Sequence, residues 1–330
     1  MSRPGLANLG NTCFMNSLLQ VLIDIDDLKN IFLRNHRKNN LFYYFEELYY
    51  SSKISTNNVL VPKDFHMQLQ KCAKECNNKL FTGYDQNDCS ELLMFLLDIF
   101  HKSIKREVIM TINGKSVNDT DDLAIKCYNM KKDTIENSYS EIYDLFYFVQ
   151  VEQILDKNKK ILNNIPNWFC QLSLPLIFKE KNQISVTLDK CIDNYLDGFE
   201  YEDTLGYYDS EDEKNKKLIK IPKFWDLPKV LVIVLQRFSG TFNKNNILVD
   251  FPITNLDMSK YVIGYNNHKF TYDLIGICNH SGGIHGGHYT SYSKTNNQWY
   301  LYNDSNVSLV KNMNNLISNN AYCLFYKKKT

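Results

Sequence analysis

Residues 5–22 read Gly-Leu-Ala-Asn-Leu-Gly-Asn-Thr-Cys-Phe-Met-Asn-Ser-Leu-Leu-Gln-Val-Leu, a polar, glycine-broken loop running into an amphipathic helix with Cys13 at the junction. Leu18, Leu22 and Ile25 recur at helical spacing and give that helix one buried face, which fixes the sulfur against a core. Asn11 and Thr12 are available to cap it. A thiol at a helix N-terminus meets unpaired backbone N–H groups and the positive end of the helix dipole, which favour thiolate over thiol. Asn8, a little upstream, offers a carboxamide donor beside the sulfur. Such parts make a cysteine nucleophile with an oxyanion donor. For a cysteine taken alone, the plainer alternative is a buried structural thiol in a capped helix.

A nucleophilic cysteine needs a base, and the base can lie far away in sequence. Residues 281–292, Ser-Gly-Gly-Ile-His-Gly-Gly-His-Tyr-Thr-Ser-Tyr, supply one. The glycines allow tight turns and close backbone approach. After His288 the pattern turns aromatic and β-branched, so His288 stands at the mouth of a strand. Gln-Trp-Tyr-Leu-Tyr-Asn-Asp-Ser (298–305) reads as a second short strand. Antiparallel pairing of the two would return Asn303 or Asp304 to His288, where either can accept the Nδ1–H bond and orient the imidazole.

Between these segments lie three others: Gly-Tyr-Asp-Gln-Asn-Asp-Cys-Ser-Glu-Leu-Leu-Met-Phe-Leu-Leu-Asp-Ile-Phe-His (83–101), Trp168 to Pro175 followed by Val186-Thr-Leu-Asp-Lys-Cys-Ile, and Leu227-Pro-Lys-Val-Leu-Val-Ile-Val-Leu-Gln-Arg-Phe. In this order the five segments resemble the ubiquitin-specific protease family of cysteine deubiquitinases, over nearly the whole chain. The resemblance implies an α+β, papain-like catalytic domain over 1–330, with a helical thumb at about 1–140 and fingers and palm strands at about 141–330. It makes Cys13 the nucleophile and His288 the base. Asn303 becomes the orienter, with Asp304 as a second, and Asn8 an oxyanion donor. It places Gln86, Asp88 and Glu91 along the channel for the C-terminal tail of ubiquitin, whose arginines carboxylates would bind. His285, Gly286, Gly287 and Tyr289 would contact the tail from the other side, the glycines leaving a passage too narrow for side chains. The partners are then ubiquitin and ubiquitinated proteins.

Many family members hold the fingers with zinc through two Cys-x-x-Cys pairs. Here the stretches at 150–158 and 198–213 contain none, and Cys72 and Cys76 have no partner pair. Four thiolate or imidazole ligands are needed, so no metal and no other cofactor is expected. The acidic run at 197–213 reads as a solvated fingertip loop or as a contact surface for ubiquitin. Loops 239–251 and 281–287 flank the expected cleft and could close over the tail.

A net charge of +1 gives no field that points to nucleic acid or an anionic membrane. No apolar run is long enough to span a bilayer, and the N-terminus lacks the apolar core of a signal peptide. Nine cysteines, odd in number and scattered, fit reduced thiols in cytosol or nucleus, or in a host cell if the chain is viral, as its many Asn pairs allow. A monomer close to a bare catalytic domain is expected. Periodicity reads residues 13–104 as mostly helical, with stripes such as Phe42, Phe45, Leu48, Tyr49 and Leu92, Phe95, Leu96, Ile99, and 105–140 as polar and irregular. Strands are expected near 143–151, 169–176, 230–238, 271–278, 288–293, 298–302 and 321–326. Three other functions use some of the same features: a protease for another Gly-Gly modifier, a ubiquitin-binding module, and a papain-type peptidase of ordinary proteins.

Overall fold

The computed structural model describes residues 3–34, 38–177, 184–202, 217–238, 244–265, 267–283 and 286–329. A short strand, β1 (Gly5–Leu6), leads into α1 (Cys13–Leu22), α2 (Asp27–Phe32) and α3 (Leu41–Ile54). Strand β2 (Val59–Leu60) pairs in parallel with β1, and α4 (Lys63–Glu75) and α5 (Cys89–Ile104) follow. The stripes read from sequence meet in this layer: the rings of Phe32, Phe42, Phe45 and Phe100 stand with centroids 4.7 to 5.9 Å apart. Burying each such ring stabilises by about 1.5–3 kcal/mol.

Several segments depart from expectation. Within the supposedly irregular 105–140 lies a helix, α6 (Asp119–Ile135), started by the Asn118 side chain, which accepts from the Asp121 N–H at 3.0 Å. Three acids in its first turn favour the N-terminal end of the helix dipole. Its buried stripe is only Leu123, Ala124 and Cys127, too thin to show as periodicity, and it packs on Val149, Val151 and Trp225. The strand expected from 143 starts later. Residues Glu141–Phe146 form a helical turn and a half, α7, burying Ile142, Leu145 and Phe146 on one side.

The strands then follow as β3 (Phe148–Leu155), β4 (Ile161–Phe169), β5 (Leu172–Pro175) and β6 (Ser185–Thr187). After α8 (Leu188–Leu196) come β7 (Phe199–Glu202), β8 (Lys217–Phe224), β9 (Val230–Gln236), β10 (Leu248–Asp250) and β11 (Leu256–Asp257). The last are β12 (Thr271–Gly283), β13 (Gly286–Thr295), β14 (Gln298–Asn303), β15 (Asn306–Leu309) and β16 (Ala321–Lys328). The strand expected at 169–176 starts late, as β5 at Leu172, after β4 has ended at Phe169. Strands β4-β3-β8-β7 form an antiparallel sheet. The larger sheet runs β15-β14-β13-β12-β16-β9-β5, with β11 also on β12 and only β5–β9 parallel. Asn296 and Asn297, both at positive φ, make the two-residue turn between β13 and β14.

Helix α1 lies between α5 and this sheet, packed on β12 and β13. It is therefore buried on every side from Cys13 to Leu22, not only along the expected stripe. Most of its polar atoms bond internally: Gln20 Oε1 accepts from Arg3 Nη1 at 2.7 Å, and Ser17 Oγ donates to the Phe14 carbonyl at 3.0 Å, while the buried Asn16 Oδ1 has no partner. Contact with β12 is close enough that a Cβ on Gly276 would stand 2.4 Å from Val21 Cγ1. No described helix is long and apolar enough to cross a membrane. Among the described residues no group of three or more His, Cys, Asp or Glu side chains converges as metal ligands.

Candidate active site

The loop before Cys13 is held by backbone and carboxamide bonds. Ala7 N–H donates to the Leu60 carbonyl at 2.8 Å, and Leu6 N–H to the Asp304 carbonyl at 2.9 Å. Gly5 packs so closely on the 304–305 turn that a Cβ would meet the Ser305 carbonyl oxygen at 2.4 Å. Asn8 Oδ1 accepts from the N–H groups of Gly10 (3.0 Å) and Thr12 (3.1 Å), a local turn that competes with helix. The expected side-chain cap is not formed. Thr12 Oγ1 accepts from Leu9 N–H, and Asn11, at φ 56°, donates to the Tyr84 carbonyl. With no cap in place, the first N–H groups of α1 stay available to the sulfur.

Those of Cys13 and Phe14, and the backbone N–H of Tyr289, lie near enough to the Cys13 sulfur to lower its pKa. Burial outweighs them and pushes the thiol up, and the Asp304 carboxylate adds to the rise. The free site thus holds a thiol, where the helix end alone suggested a thiolate. Because Tyr289 follows His288 on β13, its N–H beside the sulfur brings the candidate nucleophile and the candidate base to the same place.

The β13–β14 pairing sets Ser291 opposite Tyr302 and so carries Asn303 to the His288 end of the strand. His288 Nε2 lies 2.7 Å from Asn303 Oδ1. The orienting bond is therefore on Nε2, not on Nδ1 as expected. Since Oδ1 only accepts, Nε2 carries the proton and Nδ1 keeps the lone pair for the thiol. Asp304 does not orient His288. Its φ of 49° turns it away from the strand, and its oxygens accept from Asn16 Nδ2 at 2.8 Å and Asn8 Nδ2 at 2.9 Å. It holds the oxyanion candidate instead. Sequence reasoning missed Asn16, although a carboxamide inside an otherwise apolar helix was a visible signal.

Across the cleft, Asp88 starts α5. Its Oδ1 accepts from the Ser90 (2.7 Å) and Glu91 (3.2 Å) N–H groups, and its Oδ2 from the hydroxyls of Tyr322 (2.7 Å) and Tyr289 (3.3 Å). These bonds tie α5 to β13 and β16 and use most of the acceptor capacity expected to meet arginine. Glu91 is exposed beside it, its carboxyl raised by partial burial and by Asp88. Gln86 pairs with Gly287: Nε2 donates to the carbonyl at 2.9 Å and Oε1 accepts from the N–H at 2.8 Å. Gly287 needs to be glycine for an internal reason, because a Cβ would lie 2.1 Å from His280 Nε2. Gly286 has no such neighbour. His280, which sequence reasoning did not single out, lies tilted against the Tyr289 ring with centroids 4.7 Å apart and is kept neutral, with burial and Lys244 pushing its pKa down to about 4. Gln86, Asp88, Glu91, Phe238, His280 and Tyr289 line an open cleft of about 380 Å³. His285, residues 203–213 of the acidic run, 239–243 and 284–285 lie outside the described residues.

A family model described as ubiquitin carboxyl-terminal hydrolase matches residues 4–326. The chain belongs to the ubiquitin carboxyl-terminal hydrolase family. Human ubiquitin carboxyl-terminal hydrolase 2 is 32% identical over 357 residues, covering 98% of this chain and 54% of its own length. Human ubiquitin carboxyl-terminal hydrolase 21 is 29% identical, covering 98% and 61%. A solved SAGA DUB module of Ubp8, Sgf11, Sus1 and Sgf73 bound to monoubiquitin contains a chain with a TM-score of 0.71 and 26% identity, covering 99% of this chain and 69% of that one. The chain spans about half the length of the first curated relatives it matches.

Proposed function

We propose that this member of the family is a deubiquitinase that hydrolyses bonds at the C-terminal glycine of ubiquitin through a Cys13 thioester. The observation that carries the reading is that Cys13 has beside it the N–H of Tyr289, next in β13 to a His288 ring already oriented on Nε2 by Asn303. The names of the relatives and the ubiquitin-bound neighbour support ubiquitin as the partner.

His288 Nδ1 takes the Cys13 proton as the sulfur attacks the glycine carbonyl. The developing oxyanion meets the N–H groups at the start of α1 and the Asn8 amide, each donor contributing about 3 kcal/mol. Imidazolium then protonates the departing lysine amine. Water, activated by the same His288, hydrolyses the thioester and frees Cys13. A monomer acting in cytosol or nucleus, or in a host cell, completes the proposal.

The test is fluorophore release from ubiquitin carrying a C-terminal aminocoumarin, by wild type and Cys13→Ala. Release that the substitution abolishes is expected. Release from another Gly-Gly modifier but not from ubiquitin would keep the chemistry and move the substrate.

A further inference from the structure

Strand β13 is longer than its partner β14. The two pair only over Ser291–Thr295, whereas on its other side β13 pairs with β12 from Gly286 to Ser293. Residues 286–290 therefore form an open strand edge on the β14 side. In an antiparallel strand alternate residues direct both backbone groups to the same edge. Gly287 and Tyr289 share the parity of Ser291, and both point to the open edge, Gly287 at Gln86 and Tyr289 at the Cys13 sulfur. An extended peptide added here would find a ready strand partner that ends at the nucleophile, Gly287 and Tyr289 being about 7 Å apart along the strand.

The place is taken. The Gln86 carboxamide gives Gly287 one donor and one acceptor, the same pair that a peptide unit would give. Its backbone is fixed on both sides, since Tyr84 O accepts from Asn11 Nδ2 at 2.9 Å and Asp88 caps α5 two residues on. The exposed side chain can leave by rotating about its own bonds, without moving the loop.

We propose that Gln86 is a clasp, an internal stand-in for substrate backbone, which a glycine-ended extended tail must displace to pair with Gly287. This rests on the deubiquitinase reading. It makes Gln86 a competitor of the tail rather than one of its ligands, and a determinant of which tails enter: one able to offer both backbone bonds replaces what the clasp gave up.

The test compares wild type, Gln86→Ala and Gln86→Met for second-order labelling by ubiquitin with a C-terminal propargyl warhead. Each rate is read by intact mass and divided by the rate of Cys13 alkylation by iodoacetamide in the same protein. Methionine keeps the length of the side chain and removes both bonds, so a packing effect separates from a hydrogen-bonding one. Losing the competitor is expected to raise the ratio about tenfold in both variants, equivalent to ~1.4 kcal/mol. An equal or lower ratio in either variant overturns the clasp while leaving the deubiquitinase reading intact. No labelling of wild type or variants would overturn that reading, and the clasp with it.

Discussion

At the scale of single residues, Asn303 and Asp304 are neighbours in sequence with different tasks. Asn303 ends β14 and accepts from His288, whereas Asp304 turns off at positive φ and holds Asn8 and Asn16. Asn303→Ala is expected to lower kcat/KM about 100-fold through loss of imidazole orientation, read in steady-state hydrolysis across pH. Asp304→Ala is expected to lower kcat at nearly unchanged KM, because it loosens the oxyanion donor. The same substitution removes a carboxylate that raises the Cys13 pKa, so iodoacetamide should alkylate Cys13 faster at a given pH even as turnover slows. Slower alkylation would contradict this assignment. Cys13, His288 and the 303–304 pair were legible because each sits in a short local pattern with glycines or a strand end beside it. The division of labour between 303 and 304, and the choice of ring nitrogen, were not, since both depend on one backbone dihedral and on strand register.

At the scale of elements, the cleft depends on close contact between α1, α5 and strands β12, β13 and β16. Gly287→Ala forces a Cβ against the His280 ring and the Ser281 carbonyl, 2.7 Å away. It is expected to cost about 1–3 kcal/mol in urea unfolding. His280→Ala added to it should restore part of that loss, a coupling that a double-mutant cycle reads; strictly additive costs would rule the contact out. The helical stripes were readable because Phe42, Phe45, Leu92 and Leu96 are apolar at helical spacing around one core. Helix α6 was not, because its buried face is three small or medium side chains and its start depends on Asn118 and acids that read as loop. The full burial of α1 was hidden too, since its polar residues look outward until Arg3 and Asp304 are found beside them.

For the whole molecule, one apolar cluster joins helices α1 to α5 to β9, β12, β13 and β16, so the two walls of the cleft share a core. Acid should weaken this assembly in a predictable window. His280 is held neutral with its pKa at about 4, whereas unfolded it titrates near ~6.5, so the unfolded chain binds the proton first. The stability this residue contributes is full above about pH 6.5 and is lost as pH falls to and through about 4, on the order of 3 kcal/mol. The drop in urea midpoint between those pH values should be smaller in His280→Gln; an equal drop would assign the acid loss elsewhere. Meeting of the two walls could be anticipated from the Cys13 and His288 segments only through the resemblance, since no local pattern reports a contact between opposite ends of a chain.

The most direct measurement of the central claim is intact mass after incubation with ubiquitin bearing a C-terminal propargyl warhead, followed by peptide mapping. The account predicts one ubiquitin per chain, linked at Cys13 and absent from Cys13→Ala. An adduct that maps to another of the nine cysteines, or that persists in Cys13→Ala, would contradict it.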